Sequence, residues 1–303
     1  MTHGTHNAES DSRNENIKIY INGDFFQRKD AKISVFDSGY LVGDGVWEGI
    51  RLYKGKLAFV NDHFERLWTA AKAIGLNIPF SQEEIIKRIQ STLEINNMSD
   101  QVHIRVMLTR GIKKTPSQDP RLTISGPNLV IIAEHKKASI ESKNKGIKLF
   151  TSSFRRGSPD YLDPKLNCHS KLHEVQALIQ AIEAGADEAL MLDIHGFVCT
   201  CNATNFFMIK NNEVWTSTGD YCMNGITRSK IINICKENDI ICHQKNFSLY
   251  DTYSADEAFV TGTFGGITPV THIDGKQIGM GTFGSSSRKL SNLYEQLILQ
   301  EVG

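Results

Sequence analysis

Between Asp163 and Asn205 the chain offers an unusual concentration of groups able to do chemistry. A lysine sits in a polar loop, Asp163-Pro164-Lys165-Leu166-Asn167, ahead of a helical stretch and the apolar run Glu188 to Asp193. The segment closes on a turn dense in hydrogen-bonding groups, Cys199-Thr200-Cys201-Asn202-Ala203-Thr204-Asn205. An amine in such a setting can condense with a carbonyl once it has lost its proton. Three other places offer what a phosphate needs. Asn224-Gly225-Ile226-Thr227 runs into a helix, so backbone N–H groups, a hydroxyl and the positive end of the helix dipole converge. Thr261-Gly262-Thr263-Phe264-Gly265-Gly266 is a small-residue turn able to aim amides at an anion. Arg66 supplies a permanent charge capable of bidentate contact. Each has an ordinary counterpart in a capping threonine, a surface turn or a solvated arginine; their conjunction with a lysine loop is a stronger signal than any one of them.

The elements that must hold these groups are legible from periodicity. Residues 17–60 alternate short β-like runs (Ile17 to Gly23, Ile33 to Phe36, Val46 to Tyr53, Leu57 to Val60), with Asn22-Gly23 and Lys54-Gly55 as hairpin turns. A helix carrying Arg66 follows, with Asp62 as N-cap and Glu65 as its capping-box partner, ending near Gly75. A second helix starts at Ser81 with Glu84 in the same relation. Strands over His103 to Thr109 and Leu129 to Ala133 complete an α+β domain at 17–134. The lysine-rich, apolar-poor run 135–146 reads as a solvated linker, and 147–303 as a second domain. There, a strand over Ile147 to Phe154 precedes the lysine loop. Leu172, Val175, Leu178, Ile179 and Ile182 then fall at helical spacing and read as core, with Gly185 past the helix end. A helix after Thr227, strands near Ala258 to Thr261 and Ile267 to His272, and a terminal helix from about Ser287 close the chain. Gly43-Asp44-Gly45-Val46-Trp47-Glu48-Gly49 superficially resembles a dinucleotide fingerprint, but its spacing is wrong and a strand follows it, which excludes that fold.

Composition narrows the partners. The chain has 303 residues and equal numbers of basic and acidic side chains, so no global field favours nucleic acid or an anionic membrane, and a small-molecule partner is expected. No apolar run reaches the length of a membrane span, and Met1 to Asn16 lacks a signal-peptide core, so the expected location is cytoplasmic. The six cysteines lack paired zinc-ligand spacing and read as buried thiols, with no metal expected.

The order Gly43-Asp44-Gly45-Val46-Trp47-Glu48-Gly49-Ile50-Arg51, His63-Phe64-Glu65-Arg66-Leu67, a lysine loop, Glu188 to Asp193, Asn205-Phe206-Phe207, Gly225-Ile226-Thr227-Arg228 and Gly262-Thr263 to Val270 resembles the class IV aminotransferases. These are pyridoxal 5'-phosphate (PLP) enzymes of fold type IV, branched-chain and D-amino acid aminotransferases among them. The resemblance covers roughly residues 17–299. It implies a two-domain α+β fold, with a smaller N-terminal α/β sandwich and a larger C-terminal pseudo-barrel, and a homodimer. It also implies transfer of an amino group between an amino donor, branched-chain or related, and a 2-oxo acid. Carried over residue by residue, it makes Lys165 the Schiff-base lysine. Arg66, Ile226, Thr227 and Thr263 become the phosphate ligands, the backbone amides around Thr263 and Phe264 the α-carboxylate site, and Trp47 a wall of the substrate pocket. His103-Ile104-Arg105 aligns with a Tyr-Ile-Arg whose arginine meets the distal carboxylate of 2-oxoglutarate, so Arg105 takes that role.

Two points depart from the pattern. Lys171 rivals Lys165, because the spacing to Glu188 leaves Lys165 slightly too far and Lys171 too near; the Asp163-Pro164-Lys165 context favours Lys165. Five positions before Asn205, where such enzymes carry a glutamate facing the pyridine nitrogen, stands Thr200. A hydroxyl cannot hold that nitrogen protonated as a carboxylate does, so the ring is a weaker electron sink. Thr200 therefore leaves two alternatives open beside transamination: a PLP lyase of the same fold, or an inactive binding protein that keeps it.

Overall fold

The computed structural model describes residues 4–5, 8–138 and 140–303. Asn22 and Gly23 both take positive φ, 52° and 116°, as a tight hairpin requires. They join β1 (Lys18–Ile21) to β2 (Asp24–Gln27). With β3 (Gly45–Tyr53), β4 (Lys56–Ala58), β5 (Val102–Thr109) and β6 (Asn128–His135) these form a six-stranded antiparallel sheet in the order β2-β1-β6-β5-β3-β4. Along β5 the buried residues Val102, Ile104, Val106 and Leu108 alternate with half-buried ones, the period of a strand with one covered face. The short α1 (Ser38–Val42) precedes β3; α2 (Val60–Ala73) and α3 (Gln82–Ile95) form the cover. Phe64, Leu67, Ile85 and Ile89 lie against Ile50, Ile104 and Ile131 in one core. At about 25 cal/mol per Å², each such side chain contributes about 2 kcal/mol.

The second sheet runs β12-β11-β10-β13-β14-β7-β8-β9 with β15 on β14. Its strands are β7 (Ile147–Thr151), β8 (Glu188–Leu192), β9 (Val198–Cys201), β10 (Asn205–Lys210), β11 (Glu213–Thr216), β12 (Cys242–Gln244), β13 (Glu257–Gly262), β14 (Gly266–Ile273) and β15 (Lys276–Gln277). The sheet curls until β9 meets β10, where Cys201 N–H donates to Thr204 O at 2.8 Å, and Leu149, Leu190, Phe206, Met208 and Val260 fill the interior. This is the half-barrel expected of fold type IV. β8 is buried at every position because both its faces are covered. The remaining helices are α4 (Ile140–Lys145), α5 (Pro159–Leu162), α6 (Leu172–Glu183), α7 (Ile226–Glu237), α8 (Leu249–Tyr253) and α9 (Ser285–Val302). A third core joins the two sheets: Ala58 and Phe59 pack with Ile231, Phe259, Ile267 and Tyr294 of the second unit. Asp62 of α2 also meets Lys230 of α7 at 3.0 Å, a partly exposed ion pair that links the two helices.

Several expectations are corrected. α2 begins at Val60 behind Phe59, whose φ of 52° turns the chain into the helix; Asp62 lies in the first turn, bound to Lys230 instead of capping. The capping box of Ser81 and Glu84 is present on α3. Residues 33–36 form no strand, since Ile33, Val35 and Phe36 are exposed and have no sheet face to cover. β7 stops at Thr151, short of Phe154. The largest difference is α6: Leu172, Val175, Ile179 and Ile182 are 71, 49, 48 and 49% exposed. The helix docks through Ala177 and Ala181 onto Ala189 and Met191, because small side chains let it approach the sheet closely. The stretch 135–146 contains α4 as well as its polar residues. Among the described residues no helix is long and apolar enough to cross a membrane.

Candidate active site

β3 carries the first anchor of the site. Glu48 has no exposed side-chain surface and accepts from Arg66 Nε and Nη2, each at 2.7 Å, while His63 Nδ1 lies 2.7 Å from its Oε2. His63 and Arg66 are three residues apart on α2 and so share one face. Burial pushes the Glu48 carboxyl up, but the Arg66 guanidinium, with its hydrogen bonds and those of His63, more than offsets this and holds it below the ordinary carboxylate range.

The paired Arg66 reaches the second unit. Its Nη1 donates to Asn224 O at 3.2 Å, directly before α7. The cap of α7 is Gly225, and no side chain binds the first amides of the helix, so those donors are left for a ligand. Only glycine fits at 225, because a Cβ there would run into Asn205 Oδ1. Ile226, Thr227 and Thr263 line one small cavity together with Arg51, His63 and Tyr294. Thr227 Oγ1 lies 3.2 Å from Tyr294 Oη, and Thr261 Oγ1 is buried without a partner. Of the residues read from the sequence as phosphate ligands, Ile226, Thr227 and Thr263 line this cavity, and Arg66 reaches the carbonyl two residues before Ile226. Glu48, His63, Arg51 and Tyr294 were missed, although Glu48-Gly49-Ile50-Arg51 and the spacing of His63 and Arg66 carried a signal.

The two lysines have different surroundings. Lys165 is exposed on its loop, and its backbone N–H donates to Asp163 Oδ1 at 2.9 Å. Lys171 stands at the N-cap of α6, with Nζ 3.8 Å from Glu174 Oε1. Burial pushes its amine below the ordinary lysine value; Glu174 and Cys168 oppose this, while Arg156 and Arg66 reinforce it. Arg66 is among the charges that act on Lys171. The lysine loop itself is fastened to β3: Trp47 N–H donates to Asn167 O at 3.0 Å, Asn167 Nδ2 to Trp47 O at 2.6 Å, and Trp47 Nε1 to Cys168 O at 3.1 Å. Gly43 helps, since its φ of 71° and missing Cβ let Ser170 approach.

Thr200 is buried on β9, donates its hydroxyl to Thr204 O at 2.9 Å and faces Asn205 Nδ2 at 3.4 Å. Asn205 Nδ2 also donates to Met223 O at 2.9 Å, which ties this turn to the segment before α7. With its proton committed, Thr200 offers a lone pair and no charge. Arg105 stacks on Trp47, its guanidinium carbon 3.9 Å from the ring centroid, with no hydrogen bond or ion pair to the guanidinium among the described residues. Burial lowers its pKa, and Glu134 opposes that shift. Phe264 is buried beneath Arg51 at 5.3 Å and the Lys136 ammonium at 4.8 Å. The residues present suit PLP at two ends: an arginine, an uncapped helix start and hydroxyls would hold its phosphate, and Lys171 would offer its aldehyde an amine of lowered basicity. At the position that the resemblance sets opposite the ring nitrogen stands Thr200, a hydroxyl and not a carboxylate.

Comparison with known proteins agrees with this geometry. Residues 45–273 match the family described as amino-transferase class IV. The branched-chain-amino-acid aminotransferase-like protein 2 of Arabidopsis thaliana is 41% identical over 93% of this chain. The chain spans about half of that protein, 51% of its length. The putative branched-chain-amino-acid aminotransferase of Methanocaldococcus jannaschii is 39% identical, covering 93% of this chain and 96% of its own. Among solved structures, a branched-chain amino acid aminotransferase from Escherichia coli superposes with a TM-score of 0.85, at 25% identity, over 94% of this chain and 95% of that one. A second such enzyme, solved with pyridoxamine 5'-phosphate, superposes with a TM-score of 0.88, at 29% identity, over the same shares of the two chains. Fold, motif order and site geometry agree, and the chain belongs to the class IV aminotransferases, a family of PLP enzymes.

Proposed function

We propose that this chain is a PLP-dependent aminotransferase that moves an amino group between an amino acid, branched-chain or related, and a 2-oxo acid. The observation that carries this reading is that Arg66 reaches Asn224 O directly before the uncapped start of α7, while the lysine loop is fastened to β3, the strand that bears Glu48. When bound, PLP supplies an aldehyde for the amine and a ring that accepts electrons from the substrate α-carbon. Arg66, the amides of Ile226 and Thr227, and the Thr227 and Thr263 hydroxyls would hold its phosphate. We assign the cofactor amine to Lys171, in preference to Lys165, because its lowered basicity leaves more of it neutral near pH 7. Once released by substrate, the same amine can take the α-proton and return it.

The cationic side of the cleft supports a dicarboxylate acceptor. Arg105 and Lys136 bear charges that no described carboxylate neutralises by hydrogen bond, and Arg51 lies across the same Phe264 ring. A distal carboxylate such as that of 2-oxoglutarate would pair with Arg105, while the amides around Thr263 and Phe264 take the α-carboxylate. A homodimer is part of this reading, with the apolar side chains exposed on a single chain, Val35 and Tyr40 among them, available to a second copy; sedimentation tests it. Thr200 favours one second reading, a PLP lyase, since a hydroxyl bound to Thr204 O cannot keep the ring nitrogen charged.

The decisive experiment is reduction of the PLP-loaded protein with borohydride, followed by peptide mass mapping and a donor-by-acceptor activity panel with both enantiomers. A phosphopyridoxyl group on Lys171 and acceptor-dependent turnover are expected. A label on Lys165 refutes the lysine assignment. A protein that stays colourless with PLP refutes the enzyme, and 2-oxo acid release without an acceptor favours the lyase.

A further inference from the structure

The amine of Lys171 is held within a charge cluster whose centre is Glu174. That carboxylate lies one turn into α6, with Oε1 3.8 Å from Lys171 Nζ and 2.7 Å from Arg156 Nη1. Its other oxygen lies 3.8 Å from His173 Nδ1, and His173 Nε2 is 2.8 Å from Arg155 O. Arg156 is buried and itself immobilised: its backbone N–H donates to Leu192 O at 2.8 Å, and its Nε to Tyr221 O at 3.4 Å. A surface lysine three residues ahead of a glutamate is ordinarily a loose helical pair worth a few tenths of a kcal/mol. Here Glu174 is locked by a buried arginine, so its position relative to the amine is fixed by the barrel and not by α6 alone.

We propose that Glu174, clamped by Arg156, is the positioning residue for the Lys171 amine, holding it at the head of α6 and governing its protonation. The catalytic purpose of this role rests on the reading of Lys171 as the cofactor lysine. Around the amine, Arg156 from the loop after β7 and Arg66 from α2 oppose a positive charge; Glu174 on α6 and Cys168 in the lysine loop favour one; His169 feels the Lys171 charge, and His173 lies against Glu174. Burial and the two arginines lower the amine's affinity for a proton, and Glu174 acts against them. The Glu174 carboxylate, held at about 2 although burial pushes it up, by its bond to His173 and by Lys171 and Arg156, stays charged through the working range and returns some basicity. An amine balanced in this way can both attack a carbonyl and carry a proton.

The test titrates the amine directly in the protein free of PLP, by trace labelling with acetic anhydride across pH and mass quantitation of the Lys171 peptide. In Glu174→Gln, which keeps the shape and a hydrogen-bond acceptor for Arg156, the labelling midpoint is expected to fall by about one pH unit. Glu174→Asp is expected to restore part of that shift. An unchanged midpoint in Glu174→Gln overturns the proposal, because a merely structural glutamate would move stability and not the titration. Borohydride trapping of the PLP-loaded wild type separates the two readings. Trapping on Lys165 overturns the catalytic purpose of the cluster together with the lysine assignment, whereas trapping on Lys171 with an unmoved midpoint overturns Glu174 alone.

Discussion

Replacing Arg66 by glutamine strips a fully buried carboxylate of its strongest partner. Glu48 has no exposed side-chain surface and receives two charge-assisted hydrogen bonds of 2.7 Å from Arg66, leaving His63 as its remaining contact. Removing one partner of a buried ion pair costs about 3–5 kcal/mol, because the other charge stays desolvated. His63 keeps its contact with the carboxylate, so a loss of about 3 kcal/mol, the lower end of that range, is expected. With an m-value of about 3 kcal/mol/M, the urea midpoint then falls by about 1 M. The double variant Glu48→Gln with Arg66→Gln removes both charges and is expected to recover most of the stability while still failing to retain PLP. The effect has a pH signature. The Glu48 carboxyl is held below its ordinary value of 4.5, so its contribution is present above that value and is lost as pH falls through the lower native one. The gap between wild type and Arg66→Gln therefore narrows in acid. Equal urea midpoints for the two proteins at about pH 7, or a gap that widens on acidification, would refute the reasoning.

The other predictions concern the site and its frame. Arg105→Leu is expected to raise KM for 2-oxoglutarate by roughly 10- to 100-fold, the worth of a charged hydrogen bond, while turnover with a monocarboxylic 2-oxo acid is little changed; steady-state kinetics with both acceptors checks this. Gly225→Ala places a Cβ against Asn205 Oδ1 at the start of α7, so PLP affinity measured by equilibrium dialysis should fall while the global unfolding midpoint moves much less. Thr200→Glu is expected to strengthen PLP retention and shift the visible absorbance of the bound form; a large loss of PLP binding would mean that this position does not face the ring nitrogen. Ser81→Ala removes the capping box of α3 and should cost about 1 kcal/mol by urea titration, with activity intact.

The sequence alone determined the cofactor class and the scaffold. Motif order, hairpin turns such as Asn22-Gly23, the Ser81 capping box and the glycine-led start of α7 are local features, readable because each is set by neighbours a few residues away. The residues proposed to hold the phosphate, Arg66, Ile226, Thr227 and Thr263, could be named for the same reason, each carried by its own short motif. What only the tertiary structure decided depends on burial and on partners distant in sequence. Glu48 acquires its role from Arg66 across 18 residues, and Arg66 reaches Asn224 across 158. α6 inverts the helical pattern, burying Ala177 and Ala181 and exposing its larger residues, since close approach to β8 requires small side chains. The two lysines differ little as residues in a string, and spacing favoured neither cleanly. Their environments differ: Lys165 is exposed on its loop, whereas Lys171 is half-buried at the head of α6 beside Glu174, which Arg156 clamps. A lysine's basicity is a property of its surroundings, and those surroundings come from α2, α6 and the loop after β7, which meet only when the chain is folded.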